Sequence, residues 1–432
     1  MLQSLGPLPA QAHRSLVVPL AMDRTLTAAM YSEDHLPEFT PMPWTYQDIR
    51  AAMPSHLFQR DTARSLLFLA RDLLMAALAW KVATFIDPYF LSPASPATPT
   101  SFGVELLRWC AWATYWWFQG LIFTGLWVIG HECGHRAFSP DAKLCDAVGF
   151  VLHSFVWFPY FSAKIIHHRH HMGNGSMEKS ELWVPKTRSE LGIPNKPRHE
   201  IDWDDYFGDT PIYSLLLIIR HQLFAFPAYI MFNMSGQKRY PKWSNHLNPN
   251  SIFFMTKEQR HLVMVSNLGL LLMGQIIRLA IKQWGWISVL KYYGIPWLAV
   301  THWITMFTFI QHTDPVLPHY RDKAWNFQRG AACTVDRDFL GWQGRFFLHN
   351  VAHDHVVHHF FPKIPFYNAP EATRYLKAFI GDHYVYSDDP VFKTLWDTFN
   401  NCQFVEDEGS VLFYRDKQGR ARRRAALSTR SP

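Results

Sequence analysis

Cysteine is scarce in this chain. Cys110, Cys133, Cys145, Cys333 and Cys402 are scattered over 432 residues with no paired spacing. That argues against a disulfide framework and suits a reducing compartment. A secretory leader is missing too. Residues 1–43 hold Pro, His, Asp and Glu but no long apolar core, so they read as a flexible tail. No repeat of about 20–50 residues is present. Acidic residues are the minority among charges: 35 Asp and Glu against 42 Lys and Arg give a net charge of +7. The basic excess is densest at residues 415–424, within a C-terminal stretch, 415–432, that reads as a second tail suited to an anionic cytoplasmic leaflet. No aromatic or fold pattern accompanies it, so nucleic acid is not an expected partner.

What the chain has in quantity is apolar and aromatic side chains, 48% and 16% of residues respectively. They are segregated into long runs separated by polar loops. Five runs, 66–86, 106–129, 213–232, 262–281 and 295–310, approach the ~20 residues needed to cross a bilayer. Their ends are rich in Trp. Charges inside them, such as Arg71, Asp72, Arg220 and Arg278, are expected to face the protein interior or an interface. A shorter run, 147–161, is rich in Phe and Trp. Thr45-Tyr46-Gln47-Asp48 resembles a capping box opening a helix through Met53. Residues 92–100 read as a turn-rich connection and 185–211 as an extended loop.

Three histidine clusters stand out against this background: His131 and His135; His167, His168, His170 and His171; His355, His358 and His359. Their spacings are H-x3-H, H-x2-H-H and H-x2-H-H. Residues three and four apart share a helix face, so each cluster can aim two or three imidazoles at one point. Neutral imidazole suits iron, copper, zinc and nickel. Eight such ligands exceed what one four-coordinate zinc uses, which suggests two metals in one cavity.

One shared centre fixes the topology. The clusters must lie on one side of the membrane, so run 147–161, between the first two, cannot cross. Three runs separate the second cluster from the third, and only an even number can cross. Run 213–232 contains Arg220, His221 and Pro227 and is the poorest span, so it is expected to lie flat. The expectation is an all-α membrane protein with four transmembrane helices in two hairpins (66–86, 106–129, 262–281, 295–310) plus interfacial helices. A cytoplasmic helical cap would hold the histidines, with both termini facing the cytoplasm. No Lys or Arg occurs between Lys81 and Arg108, as a far-side loop requires; the second far-side turn carries Lys282 and Lys291.

His131-Glu132-Cys133-Gly134-His135 also fits H-E-x-x-H, the zinc-protease helix with Glu132 as general base. A zincin needs only one further ligand and leaves the other clusters unexplained, and Gly134 weakens a regular helix there. A two-metal, histidine-rich cavity at a membrane surface suits oxygen activation instead. Removing hydrogen from an unactivated methylene is beyond any side-chain base at pH 7, and a lipid chain reaches such a site from the bilayer.

The motifs in sequence resemble those of membrane fatty acid desaturases of the fungal and plant delta-12/omega-3 group. Residues 131–139, HECGHRAFS, resemble its first histidine box. Residues 160–185, YFSAKIIHHRHHMGNGSMEKSELWVP, resemble the second with its flanks. Residues 311–320, QHTDPVLPHY, and 334–338, TVDRD, resemble a further characteristic stretch. Residues 355–359 followed by PFYNAPEAT at 365–373 resemble the third box. The similarity runs from about residue 39 to 414, and a desaturase domain is expected over 44–414.

The resemblance implies a di-iron centre ligated by His131, His135, His167, His170, His171, His355, His358 and His359, with His312 as a ninth ligand. It leaves His168, His319, His349 and His353 outside the ligand set, and gives Glu132 and Asp354 the role of orienting imidazoles. It implies O₂ as co-substrate, a fatty acyl lipid or acyl-CoA as substrate, and the endoplasmic reticulum membrane as location. No His-Pro-Gly-Gly stretch marks a fused cytochrome b5 domain, so electrons are expected from a separate cytochrome b5 and its reductase. The implied reaction is a delta-12 desaturation; hydroxylase, acetylenase, conjugase and omega-3 desaturase relatives are the alternatives. Arg136 stands where the group usually has Gln or His, and Met172-Gly173-Asn174-Gly175 departs from the usual sequence after the second box.

Overall fold

The computed structural model describes residues 31–92, 102–208 and 210–426. The described chain is mostly helical. The capping box at Thr45 and Asp48 is present and opens a short helix, Tyr46–Ala51. The longer helices are α1 (Thr62–Ala83), α2 (Phe102–Gly134), α3 (Ala142–Phe155), α4 (Tyr160–Gly173), α5 (Pro211–Met231), α6 (Lys257–Trp284) and α7 (Ile295–His312). A short helix, α8 (His355–Phe360), follows a loop-rich segment and precedes α9 (Ala369–Ile380) and α10 (Val391–Asn401).

Helix α2 is the axis of the fold. Its 33 residues span about 50 Å at 1.5 Å per residue. Every residue from Gln119 to Cys133 is buried, beneath α1, α3 and α7. Two glycines let neighbours reach its backbone. A Cβ on Gly125 would sit 2.2 Å from the Phe347 carbonyl oxygen, and one on Gly130 would sit 2.3 Å from the His153 ring. Small residues serve this purpose wherever helices approach closely. On α1 the single buried acid, Asp72, is 1% exposed. Its carboxylate meets His349 Nε2 at 2.6 Å and the Arg71 guanidinium at 2.8 Å, so a charge inside an apolar helix is turned inward and paired.

Run 147–161 is not one helix. Trp157, at a φ of 57°, and Pro159 break it, and α3 and α4 meet at a bend of 107°. Among the described residues, two segments are long and apolar enough to cross a membrane, Asp204–Met231 and Lys257–Trp284; the bent pair α3–α4 would be a third if counted as one span. This list differs from the sequence expectation. The run expected to lie flat passes, because the Leu and Ile of α5 outweigh Arg220 and His221. The runs in α1, α2 and α7 do not pass. α1 carries Arg64, Arg71, Asp72 and Lys81, α2 is rich in Trp, Tyr, Gly and Thr, and α7 has only 18 residues with His302, Gln311 and His312 among them. All the same, α1, α5 and α6 display large exposed apolar side chains, including Leu67, Leu74 and Leu78, Leu216 and Phe224, and Leu271 and Ile276. Apolar surface on this scale calls for an apolar surrounding.

Both stretches expected as tails are fastened to the body where they are described. Strands β1 (Glu38–Phe39) and β6 (Arg424–Ala425) pair in parallel, Phe39 opposite Ala425. The other ladders join β2 (His319–Tyr320) to β5 (Val411–Leu412) and β3 (Asp336–Arg337) to β4 (Tyr386–Ser387). Phe39 packs on Phe413 and is buried. Arg415 bridges Glu33 at 2.7 Å and Glu406 at 2.6 Å, and Arg424 meets Glu38 at 2.7 Å. Arg415 and Arg424 therefore join the two ends of the described chain, and contacts to the body continue beyond 44–414 on both sides. Residues 1–30, 93–101 and 427–432, where a tail, part of a connection and the end of the second tail were expected, lie outside the described residues.

Candidate metal centre

Four separate segments bring histidines to one place. His131 and His135 occupy the last turn of α2 and the residue after it, one turn apart. His167, His170 and His171 lie on one face of α4. His312 ends α7, and His355, His358 and His359 belong to α8. Each position is held from behind. Arg337 donates from Nε to the Ile310 carbonyl at 2.8 Å and pairs with Asp314 at 2.6 Å, which fixes the chain on either side of His312. Asp336 accepts the Val356 N–H at 2.7 Å and the Tyr384 hydroxyl at 2.6 Å, tying down the first turn of α8. These anchors sit in the 311–338 stretch, far in sequence from any histidine box except through the fold.

The nine rings converge. The ring nitrogens of His131, His135, His167 and His358 lie within 4.8 Å of one another, and those of His170, His312 and His359 form a second such group. His171 joins the first group, its Nε2 2.9 Å from that of His167, and its ring stacks on His359 at 4.2 Å, bridging the two. His355 joins the second, its Nε2 3.0 Å from His312 and 3.1 Å from His359. The His131 and His358 Nε2 atoms are 3.0 Å apart.

Burial pushes the titration of His167, His170, His171, His355 and His359 well below the ordinary histidine range, and neighbouring imidazoles push the same way. Burial brings His358 down to about 3. The rings are therefore neutral, the form that donates a lone pair to a metal. His135 Nε2 is buried among four other rings without a hydrogen-bond partner in the described structure. Buried polar atoms are normally satisfied, so an unpartnered ligand atom inside a nest of lone pairs fits a cation as the missing partner.

The remaining candidates fall elsewhere. Glu132 is buried with Oε1 3.7 Å from His358 Nδ1, behind the ring, which suits orienting that imidazole rather than serving as a protease base. Asp354 is buried at the start of α8, its carboxyl raised to about 6 by burial, and makes no described bond to a ligand ring. His168 is exposed, His349 pairs with Asp72, His353 contacts Asp338 at 3.2 Å, and His319 packs on Tyr414. One residue the sequence reading missed is His153. Its Nε2–H donates to the Trp127 carbonyl at 3.0 Å, and its ring stacks on the Trp127 ring, which itself stacks on His131. Nothing in the sequence marks it, since it stands alone in an apolar run.

A cavity of about 900 Å³ opens against the cluster. His131, His135, His167, His170, His312 and His355 line one side, and Trp127, Phe158, Phe226, Ile304 and Phe307 line much of the rest. Among the described residues no Asp or Glu lines it. It is at the upper end of the ~300–1,000 Å³ typical of small-molecule sites.

The family model for fatty acid desaturases matches residues 108–390. The chain belongs to the fatty acid desaturase family. It is an oxidoreductase by that membership. It is 42% identical over 388 residues to the Delta(12) fatty acid desaturase of Mortierella isabellina, covering 88% of this chain and 91% of that one. It is 38% identical over 407 residues to the oleate hydroxylase of Claviceps purpurea, covering 88% and 82%. It is 36% identical over 374 residues to the Delta(12) acyl-lipid conjugase of Momordica charantia, covering 85% and 87%. Desaturase, hydroxylase and conjugase thus sit within a narrow band of identity to this desaturase-family chain.

The anchor at Asp336 gives a direct test. Asp336→Ala leaves the Val356 N–H and the Tyr384 hydroxyl without an acceptor in a buried place, a loss of roughly 1–3 kcal/mol. A lower melting temperature in detergent and reduced bound metal are expected. Wild-type values for both would show that the third cluster does not depend on this contact.

Proposed function

We propose that this chain is a delta-12 acyl desaturase of the endoplasmic reticulum membrane, which uses O₂ and two electrons to place a cis double bond in a monounsaturated fatty acyl chain. The observation that carries the reading is the pair of adjacent imidazole groups on the wall of an apolar cavity free of acidic side chains. The relatives add the position and the outcome. Relatives described as Delta(12) desaturases are 42% and 41% identical to this chain, and the oleate hydroxylase, at 38%, makes hydroxylation the second reading.

His131, His135, His167, His171 and His358 would hold one iron, and His170, His312, His355 and His359 the other. When bound, the two irons would activate O₂, the oxidant that a methylene C–H bond requires and that no side-chain base replaces. The protein contributes the rest. Its aromatic walls would exclude water and hold the acyl chain against the histidines. Glu132, 3.7 Å behind His358, would help to orient that ring. Arg337, Asp336 and Asp314 hold the segments that present His312 and α8. Electrons would come from a separate cytochrome b5 with its reductase, as the family resemblance implies.

The same convergence supports four spans with the histidines facing the cytoplasm. His170 and His312 are neighbours, so an even number of helices crosses between α4 and the end of α7. Helices α6 and α7 then form the second hairpin, and α5, apolar yet lined up along the cavity through Leu217, Arg220 and Phe224, lies in the interface. Cysteines placed at exposed Pro140, Lys179 and Arg374 should label from the same side of sealed vesicles; opposite sidedness for any of the three would break the single-site account.

The function itself is tested by gas chromatography–mass spectrometry of lipids from yeast expressing the chain. A new diene derived from oleate is expected, and His358→Ala should abolish it while the protein remains in the membrane. Hydroxylated, conjugated or acetylenic products would move the assignment to those relatives. Unchanged lipids alongside cleavage of a membrane peptide would replace it with the protease reading.

A further inference from the structure

The cavity carries cations that the chemistry of the histidines does not use. Arg136 and Lys363 line it beside His135 and Pro362, and both are exposed. Arg60 joins them: its guanidinium donates to the Arg136 carbonyl at 3.1 Å. None of the three has an ion-pair partner among the described residues. The nearby acids are spent elsewhere. Asp61 caps α1 through the Arg64 N–H at 3.0 Å, and Asp146 takes Lys164, the other cation on this side. Arg220, on α5, lines the cavity with Leu217 and Phe224. The result is an apolar cavity with a cationic rim and, among the described residues, no acid lining it.

The backbone at Arg136 is the second observation. The C-terminal end of α2 closes with Arg136 N–H on the Cys133 carbonyl at 3.0 Å and Ala137 N–H on the Glu132 carbonyl at 2.9 Å. Arg136 itself is left-handed, at a φ of 60°. That position after a helix is one where glycine is the relaxed choice. A bulky cation held there against its backbone preference is a candidate for a functional side chain. The sequence points the same way, because Arg136 departs from the Gln or His expected at that place.

We infer that Arg136 and Lys363, with Arg60 behind them, form a phosphate clamp that holds the polar end of the acyl carrier at the cavity mouth. The inference rests on the acyl-chain reading of the cavity and adds what anchors the other end of the substrate. A guanidinium and an ammonium recognise phosphate through charge-assisted hydrogen bonds, and Arg does so with two parallel donors. The chemistry is shared by two sources, the phosphodiester of a phospholipid and the phosphates of a coenzyme A thioester. The clamp fixes where along the chain the histidines meet the substrate, so it bears on the position of the double bond as well as on affinity.

Binding separates this from turnover. Purified full-length protein is titrated by intrinsic tryptophan fluorescence, since Trp127 and Trp183 line the cavity. The probes are oleoyl-phosphatidylcholine in nanodiscs, oleoyl-coenzyme A, and oleoyl methyl ester as the phosphate-free control. Arg136→Gly relieves the left-handed strain and keeps the fold, which circular dichroism checks. Combined with Lys363→Ala it should weaken a phosphate-bearing probe by about ten- to a hundredfold. The methyl ester should bind both proteins alike, and Arg136→Lys should restore part of the loss. A large loss with phosphatidylcholine alone names a phospholipid as carrier; with the coenzyme A ester alone it names the thioester. Unchanged affinity for both carriers, or an equal loss for the methyl ester, overturns the clamp, even if delivery of electrons from an acidic protein partner falls in the variant. Failure of the methyl ester to bind wild-type protein would count against the acyl cavity instead, so the two readings fail separately.

Discussion

Nine imidazoles packed together out of water set the terms for the rest of this molecule. Each ring has two nitrogens, and burial keeps the rings neutral, so each has one lone pair and one N–H to place. Rings whose Nε2 atoms meet at about 3 Å can share protons pairwise, but not all at once. Metal ions would resolve this by accepting several lone pairs together. The cost of collecting the rings is borne by the scaffold: Asp336 under α8, Arg337 and Asp314 around His312, and the buried His349–Asp72 pair that ties α1 to the segment before α8. Buried polar contacts of this kind rigidify a site only when every member is satisfied, which holds for the principal bonds here.

The cluster also orders the membrane problem. A site built from the ends of α2 and α7, the length of α4 and the short α8 demands that all four reach one face. Hydropathy alone does not produce that result. It favours α5 and α6 and passes over α2, whose residues 119–133 are buried without a break. Residues that make α2 a good core helix, its Trp, Tyr, Gly and Thr, are the ones that lower its score. The geometry of the ligands is the stronger guide to which helices cross, because ring nitrogens within 4.8 Å leave no room for a bilayer between them.

Much of the site was legible in the sequence, for a simple reason. Imidazoles three and four residues apart on a helix share a face, so the box histidines declare their common target before any fold is known. His312 is different: a single histidine at a helix end has no local signature, and only its resemblance to the family marked it. His153 has neither and was missed. The ends of the chain were misread because their ladders are two residues long and carry no periodic pattern. Their ion pairs also join residues nearly four hundred positions apart, such as Glu38 and Arg424, so the basic run looked free. Topology excluded run 147–161 as a span, while the bend between α3 and α4 and its cause, a left-handed Trp157 ahead of Pro159, emerged only from the backbone.

The central claim is that these nine histidines hold two irons on nitrogen ligands. Mössbauer and iron-edge X-ray absorption spectroscopy of the purified, anaerobically reduced protein test it most directly. The account predicts about two ferrous ions per chain, in two environments of equal abundance, with only nitrogen and oxygen in the first coordination shell. A single stoichiometric zinc with no iron, or sulfur ligation that brings Cys133 into the shell, would contradict it.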